Sequence, residues 1–246
     1  MSGHSKWANI KNKKAKTDAA KGRIFTKIGR ELAVAAKQGA DPSTNTKLAD
    51  VIAKAKAANM PNDNIQRSIK KAAGELSAVN YETLTYEGYG PGGSAVIVQT
   101  LTDNKNRTVG DIRHCFDKCG GALGNAGCVS FTFDNLGVIV VERTATLDED
   151  KMMELAIEAG ADDVIVEDDA YEVRTAVSAF SAVRKYLEEN GITFIEAAIQ
   201  MVPQNKVNLD EDQLVKFNKL YDMLDELDDV QEIFHNVELP EEDEEE

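Results

Sequence analysis

Near residue 80 the spacing of apolar residues in this chain of 246 residues changes from purely helical to mixed, and that change limits the possible folds more than any other feature. Before residue 80, apolar side chains recur every three or four positions, as they do on one face of an α-helix. From residue 81 onward, stretches appear in which apolar and polar residues alternate, as in half-buried β-strands. The sequence therefore predicts a helical region followed by mixed helices and strands, which is the α+β class.

Three helices are predicted in the first part of the chain. The first begins near Lys21, and the second spans about 47–59. The third begins at Pro61, because proline is tolerated in the first turn of a helix, and ends at Gly74. Short loops join the three helices, so we predict a small helical domain over residues 1–78, preceded by a weakly patterned basic arm.

Residues 136–203 show the most regular order of elements in the second part of the chain. Apolar alternation, helical spacing and turn residues follow one another there as strand, helix, strand, strand, helix and strand. This βαββαβ order is the split βαβ, or ferredoxin-like, arrangement. The sequence therefore predicts a self-contained α+β domain in this range.

The segments on either side of that range are too short to be separate domains. Two strands, a helix and a short strand at 128–133 are predicted within 79–135, and one helix and one strand within 204–238. A single helix and strand cannot bury a core of their own, so we expect them to complete the sheet that begins at residue 81. This prediction makes 136–203 an insertion and leaves 239–246 as an acidic tail.

Charge divides the chain at the same place as the apolar spacing. Residues 1–80 contain 16 Lys or Arg against 6 Asp or Glu, whereas the remainder contains 12 against 37, and the whole chain has a net charge of −15. A basic region on an acidic body favours a polyanion such as nucleic acid as the partner of that region. The alternative is a solvated charged tail with no partner.

The basic residues before position 31 are the candidate nucleic-acid contacts, together with the single Trp of the chain. They are Lys6, Trp7, Lys11, Lys13, Lys14, Lys16, Lys21, Arg23, Lys27 and Arg30. Their spacing does not form one helical stripe, which is typical of an arm that follows a phosphate backbone. The indole of Trp7 has two open roles, stacking on a base or anchoring the arm to the protein.

Further cations occupy outward positions of the predicted helices and extend the basic surface. These positions are Lys27, Arg30, Lys37, Lys54, Arg67, Lys70 and Lys71.

Two other segments have the composition of anion-binding loops. Asn104, Arg107 and Thr108 stand at the start of a predicted helix, where free N–H groups attract anions, although plain capping explains Asn106 and Thr108 as well. The glycine-rich segment from Gly88 to Gly93 lacks the Lys-Ser/Thr ending of a phosphate-binding loop, and no helix directly follows it. We therefore predict that this segment is a hairpin turn.

No enzyme, metal or membrane signature is evident. His114 and three cysteines, Cys115, Cys119 and Cys128, could be drawn as a zinc site, but core thiols explain them better. The sequence contains no recognisable catalytic motif, so we predict neither enzymatic activity, nor a cofactor, nor a small-molecule substrate. Apolar runs fall short of the ~20 residues that span a bilayer, and an odd number of cysteines fits a reducing compartment, so we expect a cytoplasmic protein.

Several longer segments, in a characteristic order, carry a resemblance to a known family. They are Gly3–Lys11, Lys21–Lys27, Asn59–Pro61, Asp63–Ile65, Tyr86–Gly93, Thr102–Thr108 and Gly120–Gly124. On these segments the chain resembles the YebC family, which includes the mitochondrial translational activator of cytochrome oxidase. The resemblance implies a cytoplasmic protein with a helical N-terminal domain and two α+β domains.

The same resemblance implies two functions. The first is a DNA-binding transcriptional regulator, which is how bacterial members are labelled. The second is a ribosome-associated translation factor that contacts rRNA or tRNA and relieves stalling on proline-rich stretches. A typical sequence-specific DNA-binding protein places a helix or β-ribbon in the major groove, often as a dimer, whereas the strongest basic segment here is a weakly patterned arm.

Overall fold

The computed structural model describes residues 18–74 and 80–240, and these residues have an α+β fold. Its helices, in chain order, are α1 (Asp18–Ala36), α2 (Thr46–Ala57), α3 (Asn62–Ala73), α4 (Lys105–Lys118), α5 (Glu149–Ala159), α6 (Phe180–Glu189) and α7 (Glu211–Asp225). Its strands are β1 (Glu82–Tyr89), β2 (Ala95–Thr102), β3 (Ala122–Leu123), β4 (Phe133–Glu142), β5 (Asp163–Val166), β6 (Ala170–Ala176), β7 (Phe194–Pro203) and β8 (Val230–His235).

The described residues divide into two compact units. The first unit contains residues up to 129 together with 210–233, and the second contains 130–209 together with the segment from 234. Within both described ranges, none of the helices combines the length and the apolar character needed to cross a bilayer.

Helices α1, α2 and α3 of the first unit pack around a common apolar core. Leu32, Leu48 and Ile65 have none of their surface exposed, and each lies at a position that the three-to-four spacing predicts to be inward. The side chain of Asn45 caps α2 by accepting a hydrogen bond from the Leu48 N–H at 3.1 Å. Pro61 immediately precedes α3, where its missing N–H costs no helical hydrogen bond.

The sheet of the first unit has the strand order β3-β1-β2-β8. Strands β1 and β2 are antiparallel and stay in register from Glu82 opposite Thr102 to Tyr89 opposite Ala95. The turn between them contains Gly92 and Gly93 with φ angles of 66° and 75°, which glycine adopts more readily than other residues. The glycine-rich segment is thus a hairpin turn, as predicted.

The second unit contains a sheet with the strand order β5-β6-β4-β7, connected along the chain as β4-α5-β5-β6-α6-β7. Its core contains Ile139, Met152, Val183 and Leu187, none of which has any exposed surface. Asp148 caps α5 by accepting a hydrogen bond from the Lys151 N–H at 2.9 Å, as the sequence predicted.

One predicted strand is wrong and one short strand was missed. Residues 130–132 form a 3-10 turn instead of part of a strand at 128–133, and β4 begins only at Phe133. Val129 and Phe133 are both buried and Phe131 between them is exposed, so the run alternates in burial as a strand would, but its backbone does not form a strand before Phe133. Strand β3 has only two residues beside glycines, which is too short for an alternating pattern to be visible.

Candidate functional site

A buried carboxylate, Asp229, lies at the centre of a polar cluster in the first unit. Its side chain is only 8% exposed. It accepts hydrogen bonds from the guanidinium groups of Arg30 and Arg107, the latter at 2.8 Å from Nη2 to Oδ2. The hydroxyls of Thr102 and Thr108 donate to Oδ2 at 3.2 and 2.7 Å. Two cations and two hydroxyls therefore compensate the buried charge.

The end of β2 and the start of α4 position three of these hydrogen-bond donors. Thr102 is the last residue of β2, and its hydroxyl oxygen accepts a hydrogen bond from the Asn104 N–H at 2.9 Å. The Asn104 side chain in turn caps α4 by accepting from the Arg107 N–H at 3.1 Å. This cap fixes the first turn of α4, from which Arg107 and Thr108 reach Asp229.

The cluster keeps Asp229 ionised. Burial on its own raises the pKa of this carboxyl, but hydrogen bonds from Arg107, Thr108 and Arg30 outweigh it, so the pKa lies below its usual value. Hydrogen bonds to Asp229 and Asp103 raise the pKa of Arg107. The anion at the start of α4 is thus a carboxylate of the protein itself.

An open cleft of about 410 Å³ borders this cluster. Its lining residues are Arg30, Asp103, Arg107, Thr108, Asp111, Glu226, Leu227, Asp228 and Asp229. Acidic residues outnumber the two arginines, and both arginines already contact carboxylates. This balance disfavours a further anion in the cleft, and an external anion at Asn104, Arg107 and Thr108 stays a prediction.

Lys27 and Arg30, two of the predicted nucleic-acid contacts, are bonded within the first unit. The Lys27 ammonium lies 3.0 Å from the Asp225 carboxylate, and the Lys27 side chain is 11% exposed. Arg30 bonds Asp229 and the Asp228 carbonyl, and its guanidinium lies 5.8 Å from the centroid of the Tyr81 ring. Both side chains hold α1 against the end of α7 and the segment that follows it, so a phosphate would compete with these contacts.

The other outward cations on the three helices differ in their surroundings. Lys54 lies 2.9 Å from Glu31, and Lys37 donates to the Asn80 side chain at 2.9 Å. Arg67, Lys70 and Lys71 on α3 are exposed, and no described residue forms an ion pair or hydrogen bond with their side chains.

The predicted arm lies largely outside the described residues. Lys6, Trp7, Lys11, Lys13, Lys14 and Lys16 all belong to the part that the structure does not describe. Lys21 and Arg23 lie in the first turns of α1, where Lys21 is exposed and Arg23 is half-buried. Nucleic-acid contact by any of these residues stays a prediction.

Sequence reasoning did not identify Asp229. Its partners Arg107 and Arg30 lie 122 and 199 residues away, and the residue itself stands in an acidic stretch that resembles a solvated turn. No local pattern marks such a residue. The sequence contains only an indirect indication: Arg30 and Arg107 would each need an acidic partner if they became buried.

Two of the three cysteines lie in the apolar interior of the first unit, and Cys128 is half-buried. Cys115 and Cys119 are each 3% exposed, and burial raises the pKa of the Cys115 thiol to about 11. Among residues 18–74 and 80–240, no group of three or more His, Cys, Asp or Glu side chains is placed to hold a metal ion.

Comparisons with known proteins cover both parts of the chain. Residues 5–75 match the family model described as the TACO1/YebC protein N-terminal domain, and residues 81–237 match the TACO1/YebC second and third domain. A protein of Acetivibrio thermocellus named "probable transcriptional regulatory protein" is 59% identical over 238 residues, which is 96% of this chain and 98% of the relative. A Clostridium novyi protein of the same description is 58% identical over 243 residues, covering 98% and 99%.

A solved structure has the same fold. The crystal structure of the conserved hypothetical protein Aq1575 from Aquifex aeolicus superposes with a TM-score of 0.83 and 43% identity, covering 94% of this chain and 96% of the other. The chain belongs to the TACO1/YebC family.

Proposed function

We propose that this protein is a non-enzymatic regulator of gene expression that binds nucleic acid through its basic N-terminal region. The separation of charge carries the proposal. Residues 18–74, which contain α1, α2 and α3, include 11 Lys or Arg and 5 Asp or Glu. Residues beyond 80 are strongly acidic, with 12 Lys or Arg against 37 Asp or Glu. Electrostatic attraction therefore brings a polyanion to the helical region and repels it from the remainder.

Transcription is the first form of this function. The relatives from A. thermocellus and C. novyi are named probable transcriptional regulatory proteins, and they match this chain over almost its whole length. On this proposal, the nucleic acid is duplex DNA near the genes that the protein controls, and the protein is cytoplasmic.

Translation is the second form, and one observation on the sequence favours it. The densest basic segment lies before residue 17 and lacks the spacing of a helix that would read a groove. An arm of this kind suits the irregular backbone of rRNA or tRNA. On this alternative the protein works on the ribosome and relieves stalling on proline-rich stretches.

The two forms are distinguished by ultraviolet crosslinking in cells, followed by sequencing of the DNA and the RNA recovered with the full chain. Reads concentrated at a few promoters support the transcriptional form, and reads at a few rRNA or tRNA positions support the translational one. The control is a variant in which Lys11, Lys13 and Lys14 are changed to Glu. If the wild-type chain recovers no more DNA and no more RNA than this variant does, the proposal is contradicted.

We also propose that 136–203 is a ferredoxin-like domain inserted into a second α+β domain, with the helical domain as the third. The order β4-α5-β5-β6-α6-β7 and the strand order β5-β6-β4-β7 support this assignment. Urea unfolding of residues 136–203 expressed alone tests it. A cooperative transition is expected, and a chain without one would contradict an independent domain.

A further inference from the structure

We propose, on the basis of the function proposed above, that the outward face of α3 binds the phosphate backbone of the nucleic acid. This face consists of Arg67, Lys70 and Lys71, hereafter the α3 basic face. Ion pairs within the first unit separate these three cations from Lys27, Arg30 and Lys54, a distinction that the sequence could not make.

Packing fixes which side of α3 meets the solvent. Ile65 is 0%, Ile69 6% and Ala72 8% exposed, and all three belong to the core shared with α1 and α2. Arg67 is followed three and four residues later by Lys70 and Lys71, so the three cations share the opposite, exposed side. Side chains at such spacing are neighbours on a helix surface, with about 5–6 Å between Cβ atoms.

Availability distinguishes the α3 basic face from Lys27, Arg30 and Lys54. Lys27, Arg30 and Lys54 each lie within 3.0 Å of a carboxylate oxygen in the same unit. A phosphate that approached one of them would have to displace a carboxylate. Arg67, Lys70 and Lys71 have no acidic partner among the described residues, so a phosphate there replaces only water and counterions.

Helix stability alone does not explain the three cations. Lys70 and Lys71 lie in the last turn of α3, where the helix dipole favours positive charge. Arg67 lies before that turn, near the middle of the helix, and gains little from the dipole. Arginine also presents a planar fork of N–H donors that matches a phosphate.

The test compares two full-length variants that lose the same charge. In R67Q/K70Q/K71Q the α3 basic face is neutral, and in the control K151Q/K185Q/K216Q three exposed lysines outside the helical region are neutral. Glutamine favours helix almost as much as lysine and arginine, so both variants should fold, which circular dichroism verifies. The probes are fluorescein-labelled duplex DNA and single-stranded RNA, followed by anisotropy between about 50 and 200 mM salt.

We expect the α3 variant to bind at least about tenfold more weakly than wild type at the lowest salt. The slope of the logarithm of the observed binding constant against the logarithm of the salt concentration should be smaller in magnitude by about 2 to 3. The control should keep the wild-type slope. If both variants keep wild-type affinity and slope, the α3 basic face is not the binding surface, although the proposed function stands. If the wild-type chain binds neither probe in a salt-dependent way, the proposed function itself fails.

Discussion

At the residue scale, Asp229 connects elements that are distant in sequence. Its carboxylate receives hydrogen bonds from Arg30 on α1, from Thr102 at the end of β2, and from Arg107 and Thr108 on α4. A buried charge is costly unless every lone pair is satisfied, and here four donors satisfy it. The residue therefore stabilises the first unit by holding three elements to one point.

Replacing Asp229 with Asn tests this role. The amide has no charge to hold Arg30 and Arg107, and its NH2 group would face donors instead of acceptors. We expect D229N to lower the free energy of unfolding by about 3 kcal/mol, since it leaves the largely buried Arg30 without a charged partner, whereas the more exposed Arg107 keeps Asp103. Urea denaturation gives the value. The control is D228N, because the exposed Asp228 contributes only its backbone carbonyl to Arg30; equal, small losses in both variants would contradict the role.

The stabilisation by Asp229 should also depend on pH. An unfolded Asp has a pKa of about 3.9, and in the folded protein the value is lower. The unfolded chain therefore binds more protons in this range, so the contribution is complete well above pH 3.9 and is lost as pH falls through the folded pKa. We expect the stability difference between wild type and D229N to be constant from about pH 6 to 8 and to shrink below about pH 4. A difference that grows on acidification would show that the sign is wrong.

At the element scale, most helices and strands were predictable because local rules determine them. Apolar spacing placed α1, α2 and α3, and Asp148 marked the start of α5 through its capping side chain. The loop before Val129 was not predictable. Its backbone N–H groups at Gly127 and Val129 donate to the buried Glu87 carboxylate at 2.9 Å, and Glu87 is about 40 residues away. The same limit applies to the site. A segment rich in capping side chains marked the start of α4, although Asn104 and not Asn106 or Thr108 is the cap, and nothing nearby in sequence marked Asp229.

Gly88 on β1 lies where the backbone at Ala122 and the ring of Phe116 approach the strand closely. A Cβ on this residue of β1 would lie 2.6 Å from the Ala122 carbonyl oxygen and 2.8 Å from the Phe116 ring. We expect G88A to lower the free energy of unfolding by about 1–3 kcal/mol, because backbone and a core aromatic ring would have to move. The matched control is G110A in α4, where a Cβ meets nothing within 4 Å and alanine should stabilise the helix by up to about 1 kcal/mol. Equal thermal midpoints for the two variants would contradict the packing described at Gly88.

At the scale of the whole molecule, charge is distributed so that only one part of the chain attracts a polyanion. Residues 130–209 and 234–240 contain 6 Lys or Arg against 17 Asp or Glu, whereas α1, α2 and α3 lie in a region with a balance of +6. A nucleic acid meets a repulsive field over the acidic part and an attractive one over the helical region. Binding strength should therefore fall steeply with salt, and contacts should be confined to the N-terminal region.

The measurement that tests this claim most directly is the identification of crosslinked peptides. The full chain is irradiated with bound nucleic acid in cells, digested, and analysed by mass spectrometry for peptides that carry a nucleotide. We expect these peptides to come from residues 1–74, including the segment of Arg67, Lys70 and Lys71. Crosslinked peptides confined to residues 81–237 would contradict the claim and assign binding to the acidic part of the chain.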